Sequence, residues 1–189
     1  MGAPRQAITA LVAVLVLGGA AAGCGAGEPR SAATASDYKA ALRGAPEGLH
    51  RLYSRQNQVV GGGVSAYKRQ IAALAGYPIV VNKWASWCGP CRFEFPFFQS
   101  LARKQGRRIA FLAVDSRDAK GDAREFLRKF PVPYPSFFDS DGAIARSFRG
   151  DRVSPSTAFY DRRGELVLTK QGGYASRAAL AKDIAEYAR

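Results

Sequence analysis

The chain has 189 residues and a mass of 20.3 kDa, enough for one domain with a full core; at 47% hydrophobic, 23% charged and 11% aromatic its composition is globular rather than disordered. Three Cys and one His exclude a disulfide-stapled miniprotein, and a four-ligand structural zinc site would need His50 together with every cysteine. The net charge of +13 is compatible with contact to anionic surfaces but does not by itself select nucleic acid.

Residues 1–23 carry one charge, Arg5, followed by the apolar run Ile8–Leu17 and the small residues Gly18–Gly23. This is the plan of a secretory signal peptide. The strongly apolar part is about ten residues, short of the ~20 that span a bilayer, although an anchor helix continuing through the Ala/Gly run is an alternative. The junction Ala21-Ala22-Gly23-Cys24 resembles a bacterial lipobox, with Ala21 where such signals usually carry Leu. Ordinary cleavage after Ala22 also fits and would leave Cys24 as an exposed, oxidisable thiol; lipidation of Cys24 removes that liability and would anchor the chain at a membrane surface. The expected organisation is a signal peptide at 1–23, a lipidated N-terminus and flexible tether at 24–45, and one domain at 46–189.

Leu49, Leu52 and Tyr53 suggest a short amphipathic piece and Gly61-Gly62-Gly63 a turn. Tyr67, Ile71 and Leu74 have helical spacing, in a helix ending at Gly76. Ile79–Trp84 is a short apolar run that reads as a buried strand, followed by a helix through about Leu101. Ile109–Val114 is a second buried strand, ending in Asp115; Asp122 is the expected cap of a helix carrying Phe126, Leu127 and Phe130 and stopping before Pro131. Phe137-Phe138-Asp139 follows, then a turn at Asp141-Gly142 and a short helix around Ile144–Phe148. Thr157–Tyr160 and Glu165–Lys170 flank the tight turn Arg162-Arg163-Gly164 as a hairpin. Ser176 caps a last helix with Leu180, Ile184 and Tyr187 on one face. Alternating strands and helices closed by a hairpin and a helix predict a layered α/β sheet.

The chemistry-bearing motif is Cys88-Gly89-Pro90-Cys91, between the first buried strand and its helix. Cysteines at i and i+3 can close a small disulfide ring at a helix start. There the first thiol meets unpaired N–H groups and the positive end of the dipole, which favour the nucleophilic thiolate. The second thiol, one turn on, can resolve a mixed disulfide. The expectation is an exposed, low-pKa Cys88 and a sheltered Cys91. A zinc half-site lacks its other ligands, and a c-type haem site would need His where Arg92 stands.

The run Val81–Pro96, with Trp87-Cys88-Gly89-Pro90-Cys91 and Pro96 five residues after the second Cys, together with Ser154-Pro155-Ser156-Thr157, resembles the thioredoxin superfamily. Within it the run is similar to the TlpA/ResA-like branch of extracytoplasmic thiol–disulfide oxidoreductases. The resemblance extends from about Ala66 to Ala188. It implies a thioredoxin-like three-layer α/β fold, with a central mixed β-sheet flanked by helices. It implies a cis peptide before Pro155, facing the cysteines, and a Ser154 whose backbone groups meet an extended substrate segment; by position alone Pro155 could be a loop proline. Trp87, Gly89 and Pro90 would complete the substrate-binding rim, with Trp84 in the core. Cytoplasmic thioredoxins carry an acid at the Asn82 position; here the resemblance transfers the proton-accepting role to Glu94, three residues after Cys91. By position alone Glu94 could equally be an exposed helix residue paired with an Arg. Two departures stand out: Lys83 replaces the usual Phe, and the branch's N-terminal hairpin is not recognisable between Leu49 and Tyr77.

The resemblance therefore implies a membrane-tethered, monomeric lipoprotein on the outer face of the bacterial cytoplasmic membrane. Its redox group would be the Cys88–Cys91 pair, with no metal and no other cofactor. It would reduce disulfides of exported proteins, apocytochrome c among them, with electrons from an integral-membrane thiol donor. A disulfide-forming oxidase of secreted proteins, or a lipoprotein using the fold only for binding, are the alternatives. A peroxiredoxin would want Thr at Ala85, and no nucleic-acid motif accompanies the basic cluster Arg103, Lys104, Arg107 and Arg108.

Overall fold

A computed structural model describes residues 1–2 and 34–189, and residues 34–189 form one compact unit. Residues 3–23 of the expected signal peptide, Cys24 and the rest of residues 24–33 of the expected tether lie outside the described residues. The remainder of that tether is not a tether. Ala35–Ala41 form helix α1, opened by a capping box in which Thr34 and Asp37 satisfy each other's backbone N–H groups. Tyr38 and Leu42, four residues apart, bury one face of this turn, and the Tyr38 hydroxyl donates to the Pro131 carbonyl at 2.9 Å. The domain thus begins before residue 46, because an i, i+4 apolar pair is enough to dock a two-turn helix.

Helix α2 (Glu47–Tyr53) and the two-residue strand β1 (Val59–Val60) lead to α3 (Gly63–Ala72). Then come β2 (Ile79–Trp84), α4 (Gly89–Gln105), β3 (Ala110–Ser116), α5 (Lys120–Lys129), β4 (Ser136–Asp139) and α6 (Ala143–Ser147). The chain closes with the hairpin β5 (Ser156–Tyr160) and β6 (Leu166–Gln171) and with α7 (Arg177–Tyr187), capped by the Ser176 hydroxyl. The strands form one mixed sheet in the order β1-β4-β3-β2-β5-β6, parallel from β1 to β2 and antiparallel across β2-β5-β6. This is the expected thioredoxin-like α/β fold. Two expectations shift. Ala119, not Asp122, is the N-cap of α5; Asp122 stands inside the first turn, where its charge still complements the helix dipole. Where the branch hairpin was sought there is instead α2 and the short β1, which extends the sheet edge beside β4.

The central strands β2 and β3 are buried along their whole length, as parallel strands covered on both faces must be. On one face Trp84 packs against Phe95 of α4 and Phe126 of α5, with centroids 5.3 and 4.9 Å away. On the other, Phe137 of β4 meets Tyr67 of α3 edge-on at 5.7 Å. Such pairs add ~0.5–1.5 kcal/mol each beyond their burial. The packing fixes β2 rigidly at the centre of the sheet, and the loop leaving its C-terminal end carries the cysteines.

Candidate functional site

β2 ends at Trp84, and a tight turn, with the Cys88 N–H donating to the Ala85 carbonyl at 3.1 Å, delivers the chain to α4. Cys88 is the N-cap of that helix: its Sγ accepts the Cys91 N–H at 3.2 Å. Gly89 and Pro90 occupy the first turn, where a missing proline N–H costs no helical hydrogen bond. Cys88 and Cys91 are joined as a disulfide with Cα atoms 5.3 Å apart. Cys88 is only 3% exposed and Cys91 is fully buried. The first thiol is therefore less open than expected, because as N-cap it folds back over the first helical turn. Trp87, 63% exposed, forms the rim, and its indole N–H donates to the Arg117 carbonyl at 3.0 Å.

Glu94, three residues after Cys91 in α4, is buried, not exposed on the helix. Its Oε1 accepts from Asn82 Nδ2 at 2.8 Å and its Oε2 from the Tyr174 N–H at 3.0 Å. Burial pushes its carboxyl up to about 7, while the Tyr174 and Asn82 donors and the charge of Lys170 pull it back. Asn82 Oδ1 has no partner among the described residues. A half-turn of that amide would offer Oδ1 to a protonated Glu94, so Asn82 can serve both states of the acid.

The Ser154–Pro155 peptide is cis. Antiparallel pairing of Lys83 with Ser156 sets it beside the C-terminal end of β2, at the edge of the sheet from which the cysteine turn departs. The approach is tight: a Cβ on Gly173 would lie 3.3 Å from Pro155 Cγ and 3.4 Å from Glu94 Oε2. Glycine at 173 therefore lets one strand of chain separate the proline from the buried acid. The Pro155 carbonyl accepts the Gly172 N–H at 3.0 Å, whereas the Ser154 N–H and carbonyl have no partner among the described residues.

Several contributors were given no role from sequence, Lys83 having been noted only as a departure from the family pattern. Lys83 faces away from Glu94, is buried, and donates to the Val153 carbonyl at 2.9 Å, holding the segment before the cis-proline. Burial pushes its ammonium down from the usual lysine range. Tyr174 reaches Glu94 through its backbone, which no sequence pattern advertises. Asp118 accepts from both the N–H and the hydroxyl of Ser86.

A helix-capping dithiol with a buried acid one turn on and a cis-proline at the adjoining strand defines a thioredoxin-like site. The chain belongs to the Redoxin family, which it matches over residues 67–184. It is 27% identical over 106 residues to the thiol-disulfide oxidoreductase ResA of Oceanobacillus iheyensis, covering 54% of each chain. It is 32% identical over 135 residues to the thiol:disulfide interchange protein DsbE of Tatumella citrea, covering 71% of this chain and 68% of that one. A solved structure of a thiol:disulfide interchange protein DsbE from Chlorobium tepidum superimposes with a TM-score of 0.54 at 30% identity, over 59% of this chain and 80% of that one. The chain thus spans about half the length of the first relative.

Proposed function

We propose that this chain is a thiol–disulfide oxidoreductase that works outside the cytoplasm and reduces disulfides of exported proteins, with Cys88 and Cys91 as its only redox group and no other cofactor. The observation that carries the reading is the Cys88–Cys91 pair at the start of α4 with Glu94 buried three residues further along the same helix. In the reduced enzyme the Cys88 thiolate attacks one sulfur of a substrate disulfide; an enzyme–substrate S–S bond forms, and the other substrate sulfur leaves and is protonated. Glu94 takes the Cys91 proton. The Cys91 thiolate then attacks Cys88 Sγ, forming the Cys88–Cys91 disulfide and expelling the second substrate thiolate. Two electrons pass to the substrate, and a dithiol donor in the membrane restores the enzyme.

The exposed Trp87, with Gly89 and Pro90, borders the reacting sulfurs, and the unpartnered Ser154 backbone before Pro155 suits pairing with an extended substrate segment. The leader pattern at 1–24 supports export and a lipid anchor on Cys24. Apocytochrome c is one exported substrate class this would serve, and the domain acts as a monomer without nucleic acid. The Gly-Pro pair supports reduction over oxidation: thioredoxin lies near about −270 mV and the oxidant DsbA near about −120 mV.

Equilibration with a glutathione or dithiothreitol couple should place the potential at the thioredoxin end of that range, and Cys91→Ser should accumulate mixed disulfides with exported proteins. A potential at the DsbA end would make the protein an oxidase. Absence of any turnover with disulfide substrates would leave only a binding protein.

A further inference from the structure

Helix α1 and the end of α4 lie together. The Pro131 carbonyl accepts from the Tyr38 hydroxyl of α1 at 2.9 Å and from Gln99 Nε2 of α4 at 2.8 Å. One turn further along α1, Leu42 and Tyr53 close on Gly106, where a Cβ would lie 2.6 Å from Leu42 Cδ2 and 3.2 Å from the Tyr53 hydroxyl. Around this contact stand six exposed cations. Lys39 and Arg43 come from α1 and the turn after it, Arg103 and Lys104 from the last turn of α4, and Arg107 and Arg108 from the turn that follows. None of the six makes an ion pair among the described residues. Of the acids on α1 and α2, Asp37 is held in the capping box with Thr34 and Glu47 is paired with Arg51.

The helix dipole accounts for only part of this charge. A helix C-terminus carries about half a negative charge, which Arg103 and Lys104 already exceed. Lys39, Arg43, Arg107 and Arg108 have no counter-charge among the described residues. Lys39, Arg43 and His50 also border a groove of about 390 Å³ whose walls include Leu42 and Tyr53. Apolar walls within a ring of cations fit a phospholipid, whose phosphate sits just above apolar chains, better than a polynucleotide or an acidic peptide. The chain enters the domain at this end: α1 starts after Thr34, and the ten residues back to Cys24 reach at most about 36 Å. Cys88 caps the opposite end of α4, about 25 Å away at about 1.5 Å per residue over 17 residues.

We propose that this cationic face docks on an anionic phospholipid surface. Lys39, Arg43, Arg103, Lys104, Arg107 and Arg108 meet the headgroups, and the dithiol at the far end of α4 is held away from the bilayer, open to disulfides in the surrounding water. The contact needs neither a lipid on Cys24 nor redox turnover. Where an anchor is present, its short span keeps the face at high local concentration beside the headgroups. The inference goes beyond the oxidoreductase reading, and the two fail separately.

The test follows binding of the full-length chain with Cys24→Ser, which carries no lipid, to vesicles of phosphatidylcholine alone or with about one-third phosphatidylglycerol. Residues 1–23 bring a single charge, so the ratio of the two affinities is the readout. That ratio should favour the anionic vesicles and fall as salt rises. At about fivefold per cation, Arg43→Gln, Arg107→Gln and Arg108→Gln together should lower it about a hundredfold. Lys68→Gln, Arg69→Gln and Arg124→Gln remove the same charge from exposed positions on α3 and α5 and should change it by less than about threefold. Should the first triple variant not fold, Lys39→Gln with Lys104→Gln should lower the ratio about 25-fold. Equal affinity for both vesicles, an unchanged ratio in the face variants, or an equal loss in both triple variants overturns the proposal. Tighter binding to a DNA duplex or to polyglutamate than to the anionic vesicles, lost in the same face variant, would assign the face to an acidic macromolecule and overturn it as well.

Discussion

Glu94 and Asp115 are both buried carboxyls close to the cysteine turn, one on the helix that follows it and the other at the end of the neighbouring strand. Burial raises both. Glu94 receives two N–H donors and the charge of Lys170, and settles at about 7; Asp115 receives none, faces two further acids, and lies at about 9. Donors and neighbouring charges, rather than depth, separate a group that can exchange a proton near neutrality from one that stays an acid. The first suits proton traffic with a thiol; the second stays neutral.

The largest test of this contrast is Glu94→Gln. Disulfide reduction should slow by about 10²-fold, the lower end of general acid–base contributions, and the rate profile should lose its inflection near about 7. Stability should respond as well. Because the folded-state pKa of Glu94 is raised, its stabilisation is complete below its ordinary value of 4.5 and is lost as pH rises through about 7. Across that window wild type should lose about 3 kcal/mol relative to Glu94→Gln, measured by urea unfolding at both ends. Gln has one acceptor oxygen for the Asn82 and Tyr174 donors, an offset independent of pH. Stability curves that run parallel would mean that Glu94 does not titrate in this window.

Asn82→Leu should make Glu94 behave more like Asp115. With one donor gone, its titration should climb by about 1–2 units, read as an alkaline shift of the reduction profile. An unmoved profile would assign the value near 7 to something other than the Asn82 contact. Gly173→Ala is a smaller perturbation: the added methyl would press on both Pro155 and Glu94. It should raise KM for a protein substrate several-fold, about 1 kcal/mol, with the inflection near 7 displaced only slightly. Lys83→Met, on the opposite face of β2, is the control. It releases the Val153 carbonyl and should raise KM about two- to threefold, within about 1 kcal/mol, while leaving the Glu94 inflection in place. Movement of that inflection would show that the two faces of β2 are coupled.

Local patterns in the sequence carried much of the frame. The apolar runs at Ile79–Trp84 and Ile109–Val114, the Ser176 cap and the turn at Arg162–Gly164 correspond to β2, β3, the start of α7 and the β5–β6 hairpin. Each is decided within a few residues by side-chain period, a cap or a turn. The same logic, applied more closely to Thr34-x-x-Asp37 and to Tyr38 with Leu42, would have revealed α1. Val59–Val60 was beyond its reach, since two residues become a strand only because the β4 edge is there to pair with them.

The dithiol motif was legible for the same reason: two cysteines at i and i+3 before a helix are adjacent whatever the rest of the chain does. Protonation was not legible. Glu94 could have been an exposed helix residue until α4 packed it over Asn82, 12 positions away, and under the Tyr174 N–H, 80 positions away. Asp115 was only the end of a strand until the fold brought Asp118 and Asp139 against it. Sequence by itself determined which groups could carry the chemistry, because bonding along the chain sets their spacing. Tertiary structure alone decided which of them hold protons, because a carboxyl's pKa depends on the water it loses and on the donors and charges it meets, and these arrive from distant segments.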